Sequence, residues 1–167
     1  AYFGYGKKEP LVLTLDGSGD GICATVNRGL NRIAETPNTA SIGKIYSRVT
    51  YLLGMKPWEH EYKLMGLAPY ASEEGVRKSY HVIKKLIRAD NGSLVFKNNG
   101  LSTNFCYQYL RKYLENHRFD HIAGAVQKLT EDVVLKWVRN TMNYTSEREI
   151  ACGGGVFMNV KPNMLLC

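Results

Sequence analysis

The feature that most constrains the fold is a pair of short apolar runs that flank a glycine-dense segment. Residues 11–15 read Leu-Val-Leu-Thr-Leu, and residues 22–26 form a second run rich in β-branched and apolar residues. Between them, residues 16–21 read Asp-Gly-Ser-Gly-Asp-Gly. This pattern is typical of a β-hairpin. A turn-like connection after the second run predicts a third strand over residues 32–35, so that the chain opens with a β-meander.

After the meander the apolar residues change to helical spacing. The predicted helices cover residues 41–53, 73–88, 104–115 and 120–143. Residues 55–70 are predicted to form an irregular loop, because they contain two prolines and a glycine, and its aromatic residues are interpreted as wedges that hold the loop in place. Short strands are predicted over residues 94–96 and 149–152. The sequence therefore predicts an α/β fold, a β-hairpin and meander followed by helices.

The glycine-dense segment has the composition of an anion-binding loop. Gly17, Gly19 and Gly21 lack the Cβ atoms that would keep a phosphate away from backbone amides, and glycine permits positive φ values. Asp16 and Asp20 would repel a phosphate unless a divalent cation lies between them or one carboxylate points away. The segment therefore predicts a phosphate and metal site. The alternative is a tight turn in which the aspartates and glycines serve only the backbone.

A second glycine-rich segment follows the strand predicted near the end of the chain. Gly153, Gly154 and Gly155 precede Val156, and Asn159 comes three residues later. Such a junction lets a nucleotide base or ribose lie against bare backbone, and a following helix start supplies free N–H donors. The alternative is that the three glycines are needed for close packing.

Composition excludes several functional classes. The net charge is +7, but the basic residues are scattered and are not combined with an aromatic strand motif, which argues against nucleic-acid binding. Apolar stretches run for only a handful of residues, far short of the roughly 20 needed to span a membrane. Four cysteines without a C-x-x-C pair indicate neither a zinc site nor a disulfide framework and favour a reducing, cytoplasmic environment.

Five blocks of the sequence resemble a known enzyme family in the same order. The blocks are Leu-Thr-Leu-Asp-Gly-Ser-Gly-Asp-Gly at 13–21, residues 46–54, Glu-Tyr-Lys-Leu-Met-Gly-Leu-Ala-Pro-Tyr at 61–70, Ala-Val-Gln with a later Glu at 125–131, and Gly-Gly-Gly-Val-Phe-Met-Asn at 153–159. They closely resemble the O-carbamoyltransferases of the nodulation-factor and cephalosporin or tobramycin type. The block at 61–70 is the most distinctive.

The resemblance implies the actin, sugar kinase and Hsp70 fold (ASKHA), in the form of a Kae1-like domain. Residues 1–167 would be part of that domain. The metal-binding histidine region before it and a YrdC-like domain after it in the same parent protein would lie outside this chain. The resemblance therefore implies that the isolated chain is inactive.

The resemblance also implies a reaction and its cofactors. In the family, ATP and carbamoyl phosphate give carbamoyl adenylate, and the carbamoyl group passes to a hydroxyl of a sugar or related small molecule. The resemblance also implies a divalent metal, with iron as the first candidate and Asp16 as one of its ligands. The implied phosphate and nucleotide contacts are Gly17, Ser18, Gly19, Asp20, Gly21, Gly153, Gly154, Gly155, Val156 and Asn159.

Lys63 and Asp20 are the predicted catalytic residues. An ammonium near the phosphate site would neutralise charge on the departing adenylate, and the alternative for Lys63 is a salt bridge to Glu59 or Glu61. Gln127 and Glu131, four residues apart on the longest helix, are expected to meet each other or to reach the cleft.

Three other functions stay open. Two are enzymes of the same fold, a sugar or acid phosphotransferase and a tRNA threonylcarbamoyl transferase. The third is a nucleotide-gated interaction module without catalysis.

Overall fold

The computed structural model describes residues 2–6 and 9–166. Its strands are β1 (Leu11–Gly19), β2 (Ile22–Arg28), β3 (Asn31–Pro37), β4 (Ile87–Ala89), β5 (Phe96–Asn98) and β6 (Ile150–Gly153). Its α-helices are α1 (Tyr2–Tyr5), α2 (Ile42–Leu52), α3 (Glu61–Leu67), α4 (Glu73–Ile83), α5 (Tyr107–Leu114), α6 (Phe119–Thr145) and α7 (Val160–Leu166). The α/β class and the meander followed by helices are confirmed.

The main sheet has four strands in the order β3-β2-β1-β6. β1 pairs antiparallel with β2, with Leu13 opposite Val26, and parallel with β6, with Leu13 opposite Cys152. As a central strand, β1 is buried on both faces from Leu11 to Leu13, which explains its nearly continuous apolar sequence. The last strand of the chain therefore lies beside the first.

The hairpin tip is tighter than the sequence indicates. β1 continues through the glycines to Gly19, which pairs with Ile22, and the ladder is irregular between Leu15 and Gly19. The turn itself is Asp20-Gly21, with φ values of 50° and 82°. Asp-Gly with two positive φ values is the preferred composition of a two-residue hairpin turn of type I′. These two residues thus have a backbone role in the turn.

The helices cover the sheet and build the core. Ser41 caps α2 by accepting a hydrogen bond from the amide of Lys44, and Gly54 follows the helix with φ of 74°. α2 packs against β1 and α6, while α4 packs along α6. The 27-residue α6 contributes buried residues along its whole length, which confirms the predicted longest helix.

Two sequence predictions were wrong in part. Residues 55–70 include helix α3 and a 3₁₀ turn at Ala68–Tyr70 rather than an irregular loop throughout. The helix predicted over residues 73–88 ends at Ile83, and Ile87 lies in β4, which pairs with β5. The apolar spacing of this segment fits a helix, but pairing with β5 determines its last residues.

None of the helices in the described residues combines the length and the apolar character that a membrane crossing requires.

Candidate functional site

A cleft of about 380 Å³ forms where three segments meet. The segments are the end of β1, the first two turns of α2 and the glycine-rich turn after β6. Residues on α3, α6 and the preceding loop close its sides. The lining residues are Asp16, Gly17, Ile42, Gly43, Tyr46, Ser47, Trp58, Glu59, Glu61, Tyr62, Met65, Thr130, Gly155, Val156, Met158 and Asn159. The two glycine-rich segments singled out in the sequence thus face the same cleft.

A direct hydrogen bond joins the two glycine-rich segments. The amide of Gly155 donates to Oδ1 of Asp16 over 2.9 Å. Gly154 has φ of 105°, and a Cβ there would lie 2.4 Å from the carbonyl oxygen of Leu15. Glycine is therefore required at position 154 for a close approach to β1, which supports the packing explanation of this glycine. The same approach orients the Asp16 carboxylate at the cleft.

The start of α2 also lies against the backbone of β1. A Cβ at Gly43 would lie 2.9 Å from the Cα of Gly17. The hydroxyl of Ser41 donates to the carbonyl oxygens of Asp16 and Gly17, at 3.3 and 2.7 Å. The position of Gly17 at the cleft is therefore fixed by the cap of α2, a contact that nothing in the sequence pattern indicated.

A polar network forms one wall of the cleft. The Tyr46 hydroxyl donates to Oε1 of Gln127 over 3.1 Å, and the side-chain amides of Gln127 and Asn159 bond to each other in both directions. Gln127 also donates to Glu131 over 2.9 Å, which confirms that these two residues meet. Burial, with the carboxylates of Glu61 and Glu131 nearby, raises the pKa of Tyr46, so the phenol keeps its proton and remains a donor.

Gln127→Leu is expected to lower the free energy of unfolding by about 1–3 kcal/mol, because it leaves the Tyr46 hydroxyl and the Asn159 amide without their partner in a buried setting. Urea denaturation measures the change. Tyr46→Phe is the matched variant and is expected to lower the free energy of unfolding by only about 1 kcal/mol. It removes the hydroxyl itself, and Oε1 of Gln127 still accepts a hydrogen bond from Asn159. Equal effects of the two substitutions would contradict the central position of Gln127.

The aromatic residues of segment 55–70 do not act as wedges. Trp58, Tyr62 and Tyr70 are 71%, 62% and 79% exposed, and the first two line the cleft. The interpretation that they hold the loop in place is therefore wrong. Trp58 has φ of 72°, and its amide donates to Oε1 of Glu61 over 2.7 Å.

The remaining predicted site residues lie away from the cleft wall. Lys63 is exposed on α3, with its Nζ 5.9 Å from the centre of the Tyr62 ring, and Glu59 pairs with Lys56 instead. Asp20 is exposed at the hairpin turn, while Ser18 accepts a hydrogen bond from Asn38 over 3.1 Å. Their roles in catalysis and anion binding stay predictions, as do those of Gly19, Gly21 and Gly153.

The described part of the chain does not hold a complete metal centre. The described residues contain no group of three or more histidine, cysteine, aspartate or glutamate side chains placed to hold a metal ion. Asp16 is exposed at the cleft, and one of its oxygens already accepts the Gly155 amide. These residues therefore do not by themselves fit a metal, and a metal here would need ligands from other parts of a longer protein.

Sequence reasoning missed several residues that line or support this site, among them Ser41, Gly43, Tyr46 and Trp58. Ser41 carried a recognisable signal, because a serine before an apolar helix is a common cap. The other three had none that distinguishes them from core or loop residues. Their positions depend on how α2 and the loop before α3 pack against β1.

The fold and the cleft define an α/β protein with a cleft where a central strand meets a glycine-rich turn. The family model described as "Carbamoyltransferase N-terminus" matches residues 2–167. The chain belongs to this carbamoyltransferase family.

Relatives span a wide range of organisms. The chain is 28% identical to nodulation protein NolNO of Sinorhizobium fredii, over 95% of this chain and 24% of that protein. It is 25% identical to nodulation protein NolO of Bradyrhizobium diazoefficiens, over 95% of this chain and 30% of that protein. It is 29% identical to an uncharacterized protein of Methanocaldococcus jannaschii, over 93% of this chain and 32% of that protein. The chain thus spans about a third or less of the length of these relatives.

Proposed function

We propose that this chain is the cleft-bearing part of a longer enzyme that transfers a carbamoyl group to a hydroxyl of a sugar or related small molecule. The donor is carbamoyl adenylate: water releases phosphate from carbamoyl phosphate, and the resulting carbamate displaces pyrophosphate from ATP. The acceptor oxygen then bonds to the carbamoyl carbon, AMP leaves, and the hydroxyl proton passes to solvent. Family membership supports carbamoyl transfer in general. The observation that carries the proposal is the convergence of the two glycine-rich segments at Asp16 and Gly155.

The proposed nucleotide contacts follow from that convergence. Gly155, Val156 and Asn159 line one side of the cleft and are assigned to the nucleoside. Gly17 follows Asp16 on β1 and also lines the cleft, and it is assigned to an anion because it has no side chain that would keep a phosphate from its backbone. The first turn of α2 lines the same region, and the positive end of a helix dipole favours a negatively charged group there. The strand order is compatible with the proposed ASKHA fold of Kae1-like type.

Two further parts of the proposal concern residues away from the nucleotide contacts. Asp16 is assigned as one carboxylate ligand of a divalent metal, iron in the first instance, with the other ligands supplied by the rest of the intact protein. Lys63 and Asp20 remain the proposed catalytic residues. Both are exposed, so closure by other parts of the protein would be needed to bring them to the reacting groups.

The experiment that tests the proposal is product analysis with the intact protein. The protein is incubated with ATP, carbamoyl phosphate and a panel of sugars and polyols, and products are identified by mass spectrometry. A carbamate ester of the acceptor together with stoichiometric AMP supports the proposal. A phosphorylated acceptor would instead indicate a phosphotransferase, and nucleotide binding without any product would indicate a non-catalytic module.

Asp16→Asn is expected to reduce bound metal in the intact protein at least tenfold, because a neutral amide replaces a charged ligand while the side-chain shape is kept. Elemental analysis of the purified variant measures the change. Asp20→Asn is the matched control: Asp20 lies at an exposed turn with positive φ, a conformation that asparagine tolerates. Metal content in the Asp16→Asn variant equal to that of the wild-type protein would remove Asp16 from the ligand set.

A further inference from the structure

One surface at the mouth of the cleft is used by neither the nucleotide assignment nor the metal assignment. It consists of Trp58 and Tyr62, which are 71% and 62% exposed although both line the cleft. The indole of Trp58 lies close to the backbone of β1, because a Cβ on Gly17 would be 3.2 Å from its Cζ3. A large exposed aromatic face at a cleft mouth is a typical element of a ligand site.

The backbone of Trp58 is held in an unusual conformation. A bulky residue with φ of 72° is strained, and such strain persists where the surroundings enforce it. Here the carboxylate of Glu61 enforces it by accepting the Trp58 amide over 2.7 Å. The backbone that carries the indole is therefore held in place before a ligand binds, which lowers part of the ordering cost of a contact.

The charge of the cleft limits what can bind beside this aromatic face. The described residues that line the cleft include the carboxylates of Asp16, Glu59 and Glu61 and no lysine, arginine or histidine. The ion pair with Lys56 offsets the charge of Glu59 only. Where no cation accompanies them, anionic groups are thus disfavoured at this acidic rim, while its carboxylate oxygens accept hydrogen bonds from hydroxyl or ammonium donors.

We propose that Trp58, with Tyr62 at its edge, is a stacking subsite for the apolar face of a saturated, polyhydroxylated ring that carries no anionic group. The C–H groups of such a ring meet the negative face of the indole, and its hydroxyls meet the acidic rim. The inference rests on the proposed function, in which this ring belongs to the carbamoyl acceptor. The nucleoside is assigned to Gly155, Val156 and Asn159, and Glu61 is a positioning residue for Trp58.

Tryptophan fluorescence of the intact protein tests the subsite independently of turnover. This chain contains two tryptophans, and Trp137 is fully buried. The difference between the wild-type protein and Trp58→Phe isolates the signal of Trp58. Methyl β-D-glucopyranoside and D-glucosamine are expected to protect Trp58 from quenching by acrylamide. Glucose 6-phosphate and adenosine at the same concentrations are expected to protect it much less.

Saturation-transfer NMR with methyl β-D-glucopyranoside gives the second measurement. Trp58→Ala is expected to weaken sugar binding about tenfold, whereas Trp58→Phe retains an aromatic face and loses less. Glu61→Ala is expected to increase acrylamide quenching of Trp58 in the free protein and to weaken sugar binding. Glu61→Gln, which keeps an oxygen acceptor for the Trp58 amide, restores most of both properties.

Protection by adenosine without protection by the sugars would overturn the proposal in favour of nucleoside stacking, and protection by none of the four probes would overturn it outright. The two proposals fail in different ways. If the sugars protect Trp58 from quenching but no carbamoylated product forms, the subsite is supported and the proposed reaction is contradicted. If a sugar is carbamoylated and Trp58→Ala does not change that reaction, the reaction is supported and the subsite is contradicted.

Discussion

Gly154→Ala is expected to lower the free energy of unfolding by about 2–5 kcal/mol. Two costs add: a non-glycine residue at φ of 105° is strained, and its Cβ would lie 2.4 Å from the backbone oxygen of Leu15 in the central strand. A backbone atom in a paired strand cannot move aside cheaply, so the turn after β6 must shift instead. That shift would also break the bond between Gly155 and Asp16. Urea denaturation measures the loss of stability.

Gly66→Ala is the matched control for this substitution. Gly66 lies inside α3, and a Cβ there would meet open space. Alanine is a better helix former than glycine, so this variant is expected to gain up to about 1 kcal/mol. A Gly154→Ala protein as stable as the wild type would contradict the close approach of the turn to β1.

Trp137→Ala is expected to lower the free energy of unfolding by about 3–5 kcal/mol, the usual range for truncation of a buried aromatic side chain to alanine. Trp137 is fully buried on α6, its Nε1 donates to the carbonyl oxygen of Leu94 over 2.7 Å, and its ring centre lies 5.0 Å from that of Phe96. It also stacks on Phe157, 6.5 Å away, in the 3₁₀ turn that follows the glycines. Chemical denaturation again gives the free energy of unfolding.

Trp137→Phe separates the packing contribution from the hydrogen bond. The phenyl ring keeps most of the buried area but loses the donor to Leu94, so the expected cost is about 1–2 kcal/mol. Because Phe157 lies beside the cleft, the alanine variant is also expected to weaken any ligand that binds the glycine-rich turn. A cost below 1 kcal/mol for Trp137→Ala would show that the core collapses around the missing side chain.

The sequence predicted those parts of the fold that depend on neighbouring residues. The alternation in residues 11–15 and 22–26 predicted the hairpin, and the spacing of apolar residues predicted α2 and α6, because side-chain direction repeats with a fixed period in each element. The resemblance of five blocks pointed to the carbamoyltransferase family to which the chain belongs. It also singled out both glycine-rich segments that meet at the cleft.

Where local patterns failed, contacts between distant segments decided the outcome. The helix predicted over residues 73–88 ends early because its last residues pair with β5, and the aromatic residues before α3 and on it face the cleft instead of the core. Nothing in the spacing of residues 55–70 distinguishes an indole that anchors a loop from one that faces a ligand. That distinction depends on whether another segment covers the ring.

By itself, the sequence determined the order and type of most elements, because each is set by interactions within a few residues. Only the tertiary structure decided that Gly155 bonds to Asp16, 139 residues away, that Gly43 lies against Gly17, and that Trp58 stands exposed at the cleft. These contacts follow from placing β6 parallel to β1 and α2 across its end. The burial of the whole core stabilises that arrangement, and no local pattern encodes it.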